Sequence, residues 1–450
     1  MLMRLGEAAA GRYNNPMASI PPARSLVHPR DQIMRTMQRI YRYRMTTTSG
    51  GNLSVRTDEG GVWITPARVD KGSLRREDIV CQRPDGAVEG PHRPSSELPF
   101  HLAIYGVRPD IGAIVHAHPV ALVAFSICRR TPDTRLFHQA AEVCGPSGFA
   151  PYALPGSDEL GHNIAAAFAA GSHCVILENH GVVVGGRDLQ QAFERFETLE
   201  FTAKTIIKAG MLGPVRYLTP LELQLAIRAA PPWETLSPPP ACVAEQELRK
   251  QLVDFVRRGY QQRLMISTEG SFSARLDNER MLITGSRIDR HQIDVDDIVL
   301  IEGDRAEQGR MPSRAARMHQ AIYKRHPQVQ AIVNAYPVNA TAFAVSDTPL
   351  DTRTIPESYV FLRDVERIAF GRQFADPTGL AERNWPSRPA TLLANDGVMV
   401  AGTSILDAFD RLEVLESTAE AIINARPLGP VQPMSDAVIR DLVRAFKLPE

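Results

Sequence analysis

The feature that most constrains this chain is an internal repeat. Five segments of the first half return in the second half in the same order: Ile64–Asp70 as Ile283–Asp289, Glu77–Val80 as Asp296–Val299, Ala113–Pro119 as Ala331–Pro337, Glu178–Gly181 as Ala394–Gly397, and Ala192–Glu197 as Ala408–Glu413. The offset between paired residue numbers drifts only from 219 to 216. A repeat this long predicts a tandem duplication of a globular domain of about 200 residues rather than a solenoid of short units.

The domain organisation follows from the repeat. Each copy mixes short apolar strands with segments of helical periodicity, which predicts the α/β class. We predict a flexible N-terminal tail, a first domain, a Pro-rich linker and a second domain, with these bounds: 1–29, 30–218, 219–245 and 246–450. The linker is marked by Pro231–Pro232 and Pro238–Pro240, although the part before Ala230 could be a short helix.

Charge and composition exclude several classes of partner. The 51 basic and 51 acidic side chains give a formal net charge of zero, which provides no global field for nucleic acid or an anionic membrane. No apolar run approaches the roughly 20 residues that span a bilayer, and the N-terminus lacks the apolar stretch of a signal peptide. The five cysteines show no C-x-x-C spacing and are typical of free thiols in a reducing compartment. We therefore expect a cytoplasmic protein that binds neither nucleic acid nor membranes.

Two histidines at the end of a strand carry the chemistry of the first copy. His116 and His118 follow the apolar run Ile111–Val115. Because side chains alternate across a strand, residues two apart share a face, so both imidazoles point the same way. His180 lies at the end of another buried strand, and Glu97 lies at the start of a helix. Three imidazoles are a common ligand set for a catalytic divalent metal that keeps open positions for substrate.

The second copy acts as an internal control on these residues. All four change together while the apolar frame around them is kept: Glu97 to Ala315, His116 to Asn334, His118 to Tyr336 and His180 to Asp396. Joint loss indicates one functional unit, which the alternative of buried histidines bonded to backbone does not explain. We predict a metal site in the first copy, with Zn²⁺ as the first choice and Mn²⁺, Co²⁺ or Fe²⁺ as alternatives. By contrast, His101 recurs as His319 and is interpreted as structural.

Candidate groups for an anionic substrate lie close by in sequence. The backbone N–H groups of a polar loop could wrap an anion, although an ordinary turn explains the loop equally well: Ser49, Gly50, Gly51 and Asn52. Ser95 and Ser96 precede a helix whose first N–H groups favour anions, and helix capping is their alternative role. Arg68 could add a cation, but Arg287 repeats it in the second copy, so a structural role is equally consistent.

Taken in order, these motifs resemble those of the class II aldolase/adducin family: Ser49–Arg56, Ile64–Pro66, Pro94–Glu97, His116–His118, Tyr152–Gly156 and Glu178–Gly181. The match covers nearly all of residues 30–216 and, more weakly, residues 245–431. The resemblance implies two tandem α/β/α domains, each with a mostly antiparallel central sheet flanked by helices, of which the second is degenerate. It implies metal on His116, His118 and His180, with Glu97 as acid/base group and possible fourth ligand.

The resemblance also bears on the reaction. The family's aldolases hold a substrate phosphate with the Gly-Asn loop, a Thr-Gly pair and two serines. Asn52, Ser95 and Ser96 match that set, but Ala67 and Arg68 stand where the Thr-Gly pair is expected, which favours another anion such as a carboxylate. The leading expectation is a metal-dependent carbon–carbon lyase of aldolase type, which cleaves a small hydroxy-carbonyl substrate through a metal-stabilised enediolate. A decarboxylase of a hydroxylated acid, aromatic acids included, is the alternative, and a non-catalytic adducin-like scaffold comes from another class. Epimerase and dehydratase activities are less favoured.

The resemblance implies an oligomer as well. Family sites lie between subunits, often in fourfold rings, and the aldolases use a tyrosine of a neighbouring subunit as an acid. Alignment puts His138 near that position in the first copy and Tyr359 near it in the second. A tandem chain therefore suggests a homo-oligomer in which two chains form a pseudo-tetramer and the degenerate copy supplies an interface wall to the working site.

Overall fold

The computed structural model describes residues 27–227 and 231–448, so residues 1–26 of the predicted tail lie outside the described residues. Two sheet-and-helix bodies follow one another along the described chain. Each has a mostly antiparallel sheet with helices packed on it, which confirms the predicted fold class. Among the helices described, none is both long enough and apolar enough to cross a membrane.

The first body is built on an eight-stranded sheet. Its strands are Asn52–Arg56 (β1), Val62–Ile64 (β2), Val80–Gln82 (β3), Val88–Glu89 (β4), Ala113–Ala117 (β5), Gly148–Ala150 (β6), Cys174–Leu177 (β7) and Gly181–Gly186 (β8). Its helices are Pro29–Arg42 (α1), Leu98–Val107 (α2), Val120–Ile127 (α3), His138–Cys144 (α4), Asp158–Ala169 (α5) and Leu189–Leu212 (α6). The strand order is β4-β3-β2-β1-β5-β8-β7-β6, with parallel pairing between β6 and β7.

Helices cover both faces of this sheet. Val115 on β5 packs in an apolar cluster with residues of α1, α3 and α6. Its neighbour Ile114 packs in the opposite cluster, with residues of α2 and α5. Because alternate residues of a strand share a face, His116 points to the same side as Ile114, towards α2. The ring of Phe100 on α2 accordingly lies edge-on to His116, with 5.5 Å between ring centroids.

The second body repeats the plan with a nine-stranded sheet. Its strands are Glu234–Leu236 (β9), Ser271–Arg275 (β10), Arg280–Thr284 (β11), Ile298–Glu302 (β12), Arg305–Glu307 (β13), Ala331–Ala335 (β14), Glu366–Ile368 (β15), Ala390–Leu393 (β16) and Gly397–Gly402 (β17). The strand order is β15-β16-β17-β14-β10-β11-β12-β13-β9. The helices associated with it are Val243–Gln261 (α8), Ala316–Arg325 (α9), Val338–Ala344 (α10), Pro356–Leu362 (α11), Arg372–Ala375 (α12), Pro377–Ala381 (α13), Ile405–Ala425 (α14) and Asp436–Ala445 (α15).

The segment predicted as a linker contains regular structure. Residues Pro220–Ile227 form helix α7, which is the short helix considered for this part of the chain. Strand β9 lies between the two proline clusters and pairs in parallel with β13 at the edge of the second sheet. An edge position tolerates neighbouring prolines because only one side of the strand needs to donate to a ladder.

The two bodies share one apolar core. Phe137 and Phe201 of the first body belong to the same buried cluster as Phe272 and Phe343 of the second. The ring centroids of Phe137 and Phe201 are 5.4 Å apart. The two copies are therefore in direct contact through this apolar core, in addition to the segment that connects them.

A buried carboxylate ties the bodies together beside this core. Glu197 on α6 is fully buried and accepts hydrogen bonds from the Tyr260 hydroxyl and the Ser267 backbone N–H, both at 2.7 Å. Its oxygens also pair with Arg263 at 2.5 Å and with Arg39 at 3.7 Å. Burial raises the pKa of Glu197, but the two guanidinium charges outweigh burial and hold its pKa below the ordinary value. Glu197 is therefore a charged group compensated from both copies.

We expect Glu197→Gln to destabilise the protein by about 3–5 kcal/mol, because removing one partner leaves buried guanidinium groups without their counter-charge. The measurement is the free energy of unfolding from denaturant titration. As a control, Glu247→Gln removes an exposed ion pair with Lys250 and should leave the free energy of unfolding nearly unchanged. Equal effects of the two substitutions would contradict the central role of Glu197.

Candidate metal centre

The three predicted histidines of the first body converge on one point. The Nε2 atoms of His116 and His118 are 3.1 Å apart. The three ring centroids form a nearly equilateral triangle with sides of 4.8, 4.9 and 4.9 Å. One ring nitrogen from each residue, His180 included, lies within 4.8 Å of the others, so the three could hold a metal ion between them.

The turn between β7 and β8 delivers His180 to this cluster. The backbone N–H of His180 donates to the Leu177 carbonyl and to the Ser126 hydroxyl, at 3.1 and 2.9 Å. Asn179 before it adopts a left-handed conformation, with φ of 53°, which asparagine tolerates better than most residues. A side chain at Gly181 would approach the backbone of the histidine strand within 2.6 Å. The sequence Asn-His-Gly is therefore what a tight turn against that strand requires.

The protonation of the imidazoles fits a divalent metal. His116 donates from Nδ1 to the Val182 carbonyl at 2.9 Å, so Nε2 is the nitrogen that a metal could bind, as in many metal-ligating histidines. Burial lowers the pKa of His118 to about 3 and that of His180 to about 4, so both are neutral ligands at neutral pH. Burial lowers the pKa of His116, but the Glu97 carboxylate and the Val182 carbonyl outweigh burial and hold its pKa above the ordinary value. A divalent ion such as Zn²⁺ would therefore replace a proton on this ring and bind the other two imidazoles directly.

Glu97 supplies that carboxylate from the residue just before α2. Its Oε2 lies 3.2 Å from His116 Nε2 and accepts a hydrogen bond from Asn52 Nδ2 at 2.7 Å. Its Oε1 is buried 3.5 Å from His180 Nε2 and has no hydrogen-bond partner within the described part of the chain. Burial raises the pKa of Glu97, but His116, His180 and the Asn52 amide outweigh burial and hold the pKa well below its usual range. Glu97 is therefore a carboxylate at rest, with one oxygen available.

The glycine loop presses against the histidines. A Cβ at Gly50 would lie 3.0 Å from His118 Nδ1, and one at Gly51 would lie 2.6 Å from the His116 carbonyl oxygen. Gly51 also has a φ of 71°, which a residue with a Cβ rarely adopts. These two glycines thus fix the distance between the loop and the histidine strand. Ser49, next to them, is exposed, and anion binding by this loop stays a prediction.

The other predicted anion-binding residues have local contacts. The Ser95 hydroxyl accepts a hydrogen bond from the backbone N–H of Glu97 at 3.3 Å, a turn-forming contact that supports its alternative, structural role. Ser96 lies between them and is exposed. Arg68 is exposed with a φ of 56°, and Arg287 repeats that backbone conformation with a φ of 59°. A shared backbone shape accounts for the recurrence of this arginine, and the binding roles of all three remain predictions.

The structure places His138 at the degenerate copy, away from the three histidines. His138 Nε2 lies 3.1 Å from Asp396 Oδ1, which also accepts a hydrogen bond from Gln139 at 2.6 Å. Gln373 donates to the other Asp396 oxygen at 2.9 Å, and the Tyr336 hydroxyl donates to Asp396 Oδ1 at 3.1 Å. Helix α4 of the first body therefore fills the space where the second body, were it intact, would hold its metal.

Tyr359 and His101 are two further residues that the sequence singled out, and they lie in different surroundings. Tyr359 lies half-buried on α11, with the Arg363 guanidinium 4.8 Å from its ring centroid, and it contacts none of the three histidines in the described chain. His101, interpreted as structural because it recurs, is bonded through Nε2 to Asn52 Oδ1 at 2.5 Å. Asn52 in turn binds Glu97, so His101 reaches the cluster through one intermediate. The sequence does contain a sign of this connection: Asn52 changes to Ser271 in the second copy, together with the four candidate site residues.

Comparison with known proteins places the chain in a family. The family described as "Class II Aldolase and Adducin N-terminal domain" matches residues 31–207 and 250–423, and this chain belongs to it. The chain is 34% identical over 199 residues to a 3-oxo-tetronate 4-phosphate decarboxylase of Haemophilus influenzae, covering 43% of this chain and 93% of that protein. It is 32% identical over 201 residues to a 5-deoxy-D-ribulose 1-phosphate aldolase of Bacillus thuringiensis, covering 43% and 92%. A solved L-fuculose 1-phosphate aldolase is 33% identical, with a TM-score of 0.40 over 44% of this chain and 93% of that one.

We expect the purified protein to contain one divalent ion per chain and His116→Ala to lose it, because the two remaining imidazoles alone give a weak site. Asn334→Ala is the matched control, since Asn334 occupies the same strand position in the second copy. It should leave the metal content unchanged. Elemental analysis by mass spectrometry measures both, and two ions per chain would contradict a site confined to the first copy.

Proposed function

We propose that the first copy of this class II aldolase/adducin family member is a divalent-metal-dependent carbon–carbon lyase that performs aldol cleavage on a small anionic hydroxy-carbonyl compound. The observation that carries the proposal is the state of Glu97. It is a carboxylate with one free buried oxygen, beside three imidazoles that could hold a metal. Aldol cleavage begins with removal of a hydroxyl proton, which requires a base in this form.

Each group has a defined task in this reaction. His116, His118 and His180 would hold the ion, which would stabilise negative charge on the substrate's carbonyl oxygen. Oε1 of Glu97 takes the proton of the substrate hydroxyl while Asn52 keeps Oε2 in place. The carbon–carbon bond then breaks, the hydroxyl carbon leaves as an aldehyde, and the electron pair passes to the carbonyl fragment. The proton that Glu97 took is finally delivered to the carbon of that fragment, which restores the carboxylate, so atoms and charge balance.

Decarboxylation is the second candidate, and the similarity to the 3-oxo-tetronate 4-phosphate decarboxylase favours it. Loss of CO₂ from a 3-oxo acid leaves its electron pair on the same kind of carbonyl fragment, but no hydroxyl proton has to be removed first. The names of both relatives support a phosphorylated, sugar-like substrate. Exposed Arg68 could bind its anionic end.

Glu97→Gln separates the two reactions. We expect it to lower aldol cleavage of 5-deoxy-D-ribulose 1-phosphate by about 10²–10⁴-fold, the usual contribution of a general base. Decarboxylation of 3-oxo-tetronate 4-phosphate should fall less, because loss of CO₂ does not require a hydroxyl proton to be removed first. Aldehyde and CO₂ release are measured separately on protein of verified metal content, with exposed Glu77→Gln as the control. Unchanged turnover of both compounds by metal-loaded Glu97→Gln would remove Glu97 from the mechanism.

We also propose that two chains form a closed dimer containing four copies, which the contact between the bodies supports. Within the chain, Arg39 pairs with Asp289 at 2.5 Å, and the Tyr260 hydroxyl donates to Glu197. Arg39 and Glu197 belong to the first copy and their partners to the second. The contact is therefore head to tail, because two different surfaces meet.

The repeat leaves one half of this contact open on each body. The counterparts of Arg39 and Glu197 are Arg258 and Glu413, which lie 3.6 Å apart and are 49% and 31% exposed. The counterparts of Tyr260 and Asp289 are Tyr41 and Asp70, and Asp70 is exposed on the first body. A second chain offers both open surfaces in exchange, which closes the assembly.

Such a dimer would complete the working site. Within the chain, α4 of the first body lies over the degenerate site at Asp396. By the same relation, α11 of one chain would lie over the working site of the other. Tyr359 is on α11 and is half-buried, with the Arg363 guanidinium 4.8 Å from its ring centroid. We therefore assign Tyr359 as the acid supplied from the other chain. His138 does not fit this role, because it lies against Asp396 of the second body.

The expected solution state is a dimer, measured by light scattering. Arg258→Glu should give monomers and lose turnover, because it places a like charge beside Glu413 and removes the cation from the proposed interface. Arg325→Glu changes an exposed arginine outside that surface and should stay dimeric. Tyr359→Phe should remain dimeric with its metal content intact while turnover falls. A monomeric wild type with full activity would rule out the shared site.

A further inference from the structure

A continuous line of hydrogen bonds runs from the interior of the first body to Glu97. The Tyr105 hydroxyl lies 2.8 Å from Ser54 Oγ, and Ser54 Oγ lies 2.7 Å from Nδ1 of His101. Nε2 of His101 lies 2.5 Å from Asn52 Oδ1, and Asn52 Nδ2 lies 2.7 Å from Glu97 Oε2. His101, Ser54 and Asn52 are all at least 98% buried, so water does not compete for these bonds.

The bonds in this line can run in only one direction. Glu97 is a carboxylate and accepts, so Asn52 must present its amide nitrogen to it and its Oδ1 to His101. His101 then donates from Nε2 and accepts at Nδ1 from the Ser54 hydroxyl. Burial lowers the pKa of His101 to about 3, so the ring is neutral and carries the single proton that this arrangement needs. The Tyr105 hydroxyl completes the line by donating to Ser54.

The line decides which oxygen of Glu97 is free. With Oε2 held by Asn52, the carboxylate cannot rotate without losing that bond, so Oε1 stays on the His180 side without a hydrogen bond in the described chain. If the Asn52 amide turned over, its oxygen would face the carboxylate, and two acceptors would repel. The orientation of the amide, set by His101, therefore keeps the base in its working position.

The second copy separates this task from a role in folding. Ser273, His319 and Tyr323 reproduce the inner part of the line, with 2.8 Å from Ser273 Oγ to each of the other two. There, however, His319 Nε2 ends on Asn334 Oδ1 at 2.5 Å, and Ala315 stands in place of Glu97. The Tyr–Ser–His unit thus belongs to the fold of both copies. Only in the first copy does it act, through an amide, on a carboxylate.

We propose that His101 is a positioning residue, which fixes the Asn52 amide so that Glu97 is held with Oε1 free for proton transfer. The inference rests on the proposed role of Glu97 as base. It adds to that role a residue that touches neither substrate nor metal and that acts through Asn52 alone.

The test is a double-mutant cycle on the full chain, assayed with 5-deoxy-D-ribulose 1-phosphate and 3-oxo-tetronate 4-phosphate. His101→Ala and Asn52→Ala should each lower turnover number by about 10–100-fold, the usual effect of losing an outer-shell partner. If His101 acts only through Asn52, the double mutant should have a turnover number less than about twofold below that of Asn52→Ala alone. His101→Gln, whose amide can still donate to Asn52, should recover most of the loss.

The matched control is His319→Ala, which removes the same ring from the same hydrogen bonds in the second copy. It should lower Tm about as much as His101→Ala and leave turnover within about twofold of wild type. Equal loss of turnover in both variants, or losses that multiply in the double mutant, would overturn the proposal. A crystal structure of His101→Ala tests it without activity: Asn52 Nδ2 should leave Glu97, and a retained contact near 2.7 Å would overturn it. If wild type cleaves neither compound, the proposed function fails while this structural test still decides the inference.

Discussion

The pairing of β1 with β5 is the contact on which both the fold and the site depend. It places Asn52 directly opposite His116 in the antiparallel register, and a slip of one residue would turn every side chain of the strand to the other face. With the register fixed, His116 faces α2, where Glu97 sits. The loop before β1 can lie close to the histidines only because Gly50 and Gly51 lack side chains. This one pair of central strands thus sets Asn52 and His116 side by side, and the β7–β8 turn and the start of α2 add His180 and Glu97 to them.

The same pairing shows how the two copies diverged. In the second body, Ser271 lies opposite Asn334, at the positions of Asn52 and His116. In this body the amide side chain is on the opposite strand of the pair, and His319 Nε2 lies 2.5 Å from its oxygen. The buried histidine therefore kept an acceptor while the ligand and the carboxylate disappeared. The interior of a degenerate domain has to satisfy its polar groups even after its chemistry is gone.

Much of this could be predicted from sequence, and the limits have a physical cause. The repeat gave two bodies of one fold class, and strand periodicity put His116 and His118 on one side, because both are local patterns. The contact of Asn52 with Glu97 joins residues 45 positions apart, and periodicity says nothing about which buried groups meet. Recurrence of His101 as His319 correctly marked a fold residue but hid its connection to Glu97. The strand β9 went unrecognised because prolines on both sides are typical of a linker, and only the neighbouring β13 makes it a strand.

The position of α4 against Asp396 has an evolutionary consequence. Asp396 corresponds in the repeat to His180 and contacts His138 and Gln139 of the other body at 3.1 and 2.6 Å. We expect that Asp396→His would not create a metal site, because α4 fills the space in front of this position and four side chains would lose their contact with the carboxylate. Reversal would need coordinated changes in both halves, each harmful alone. This position now contributes to the interface between the two bodies. We therefore expect that neither half could be changed back or deleted without damaging the other.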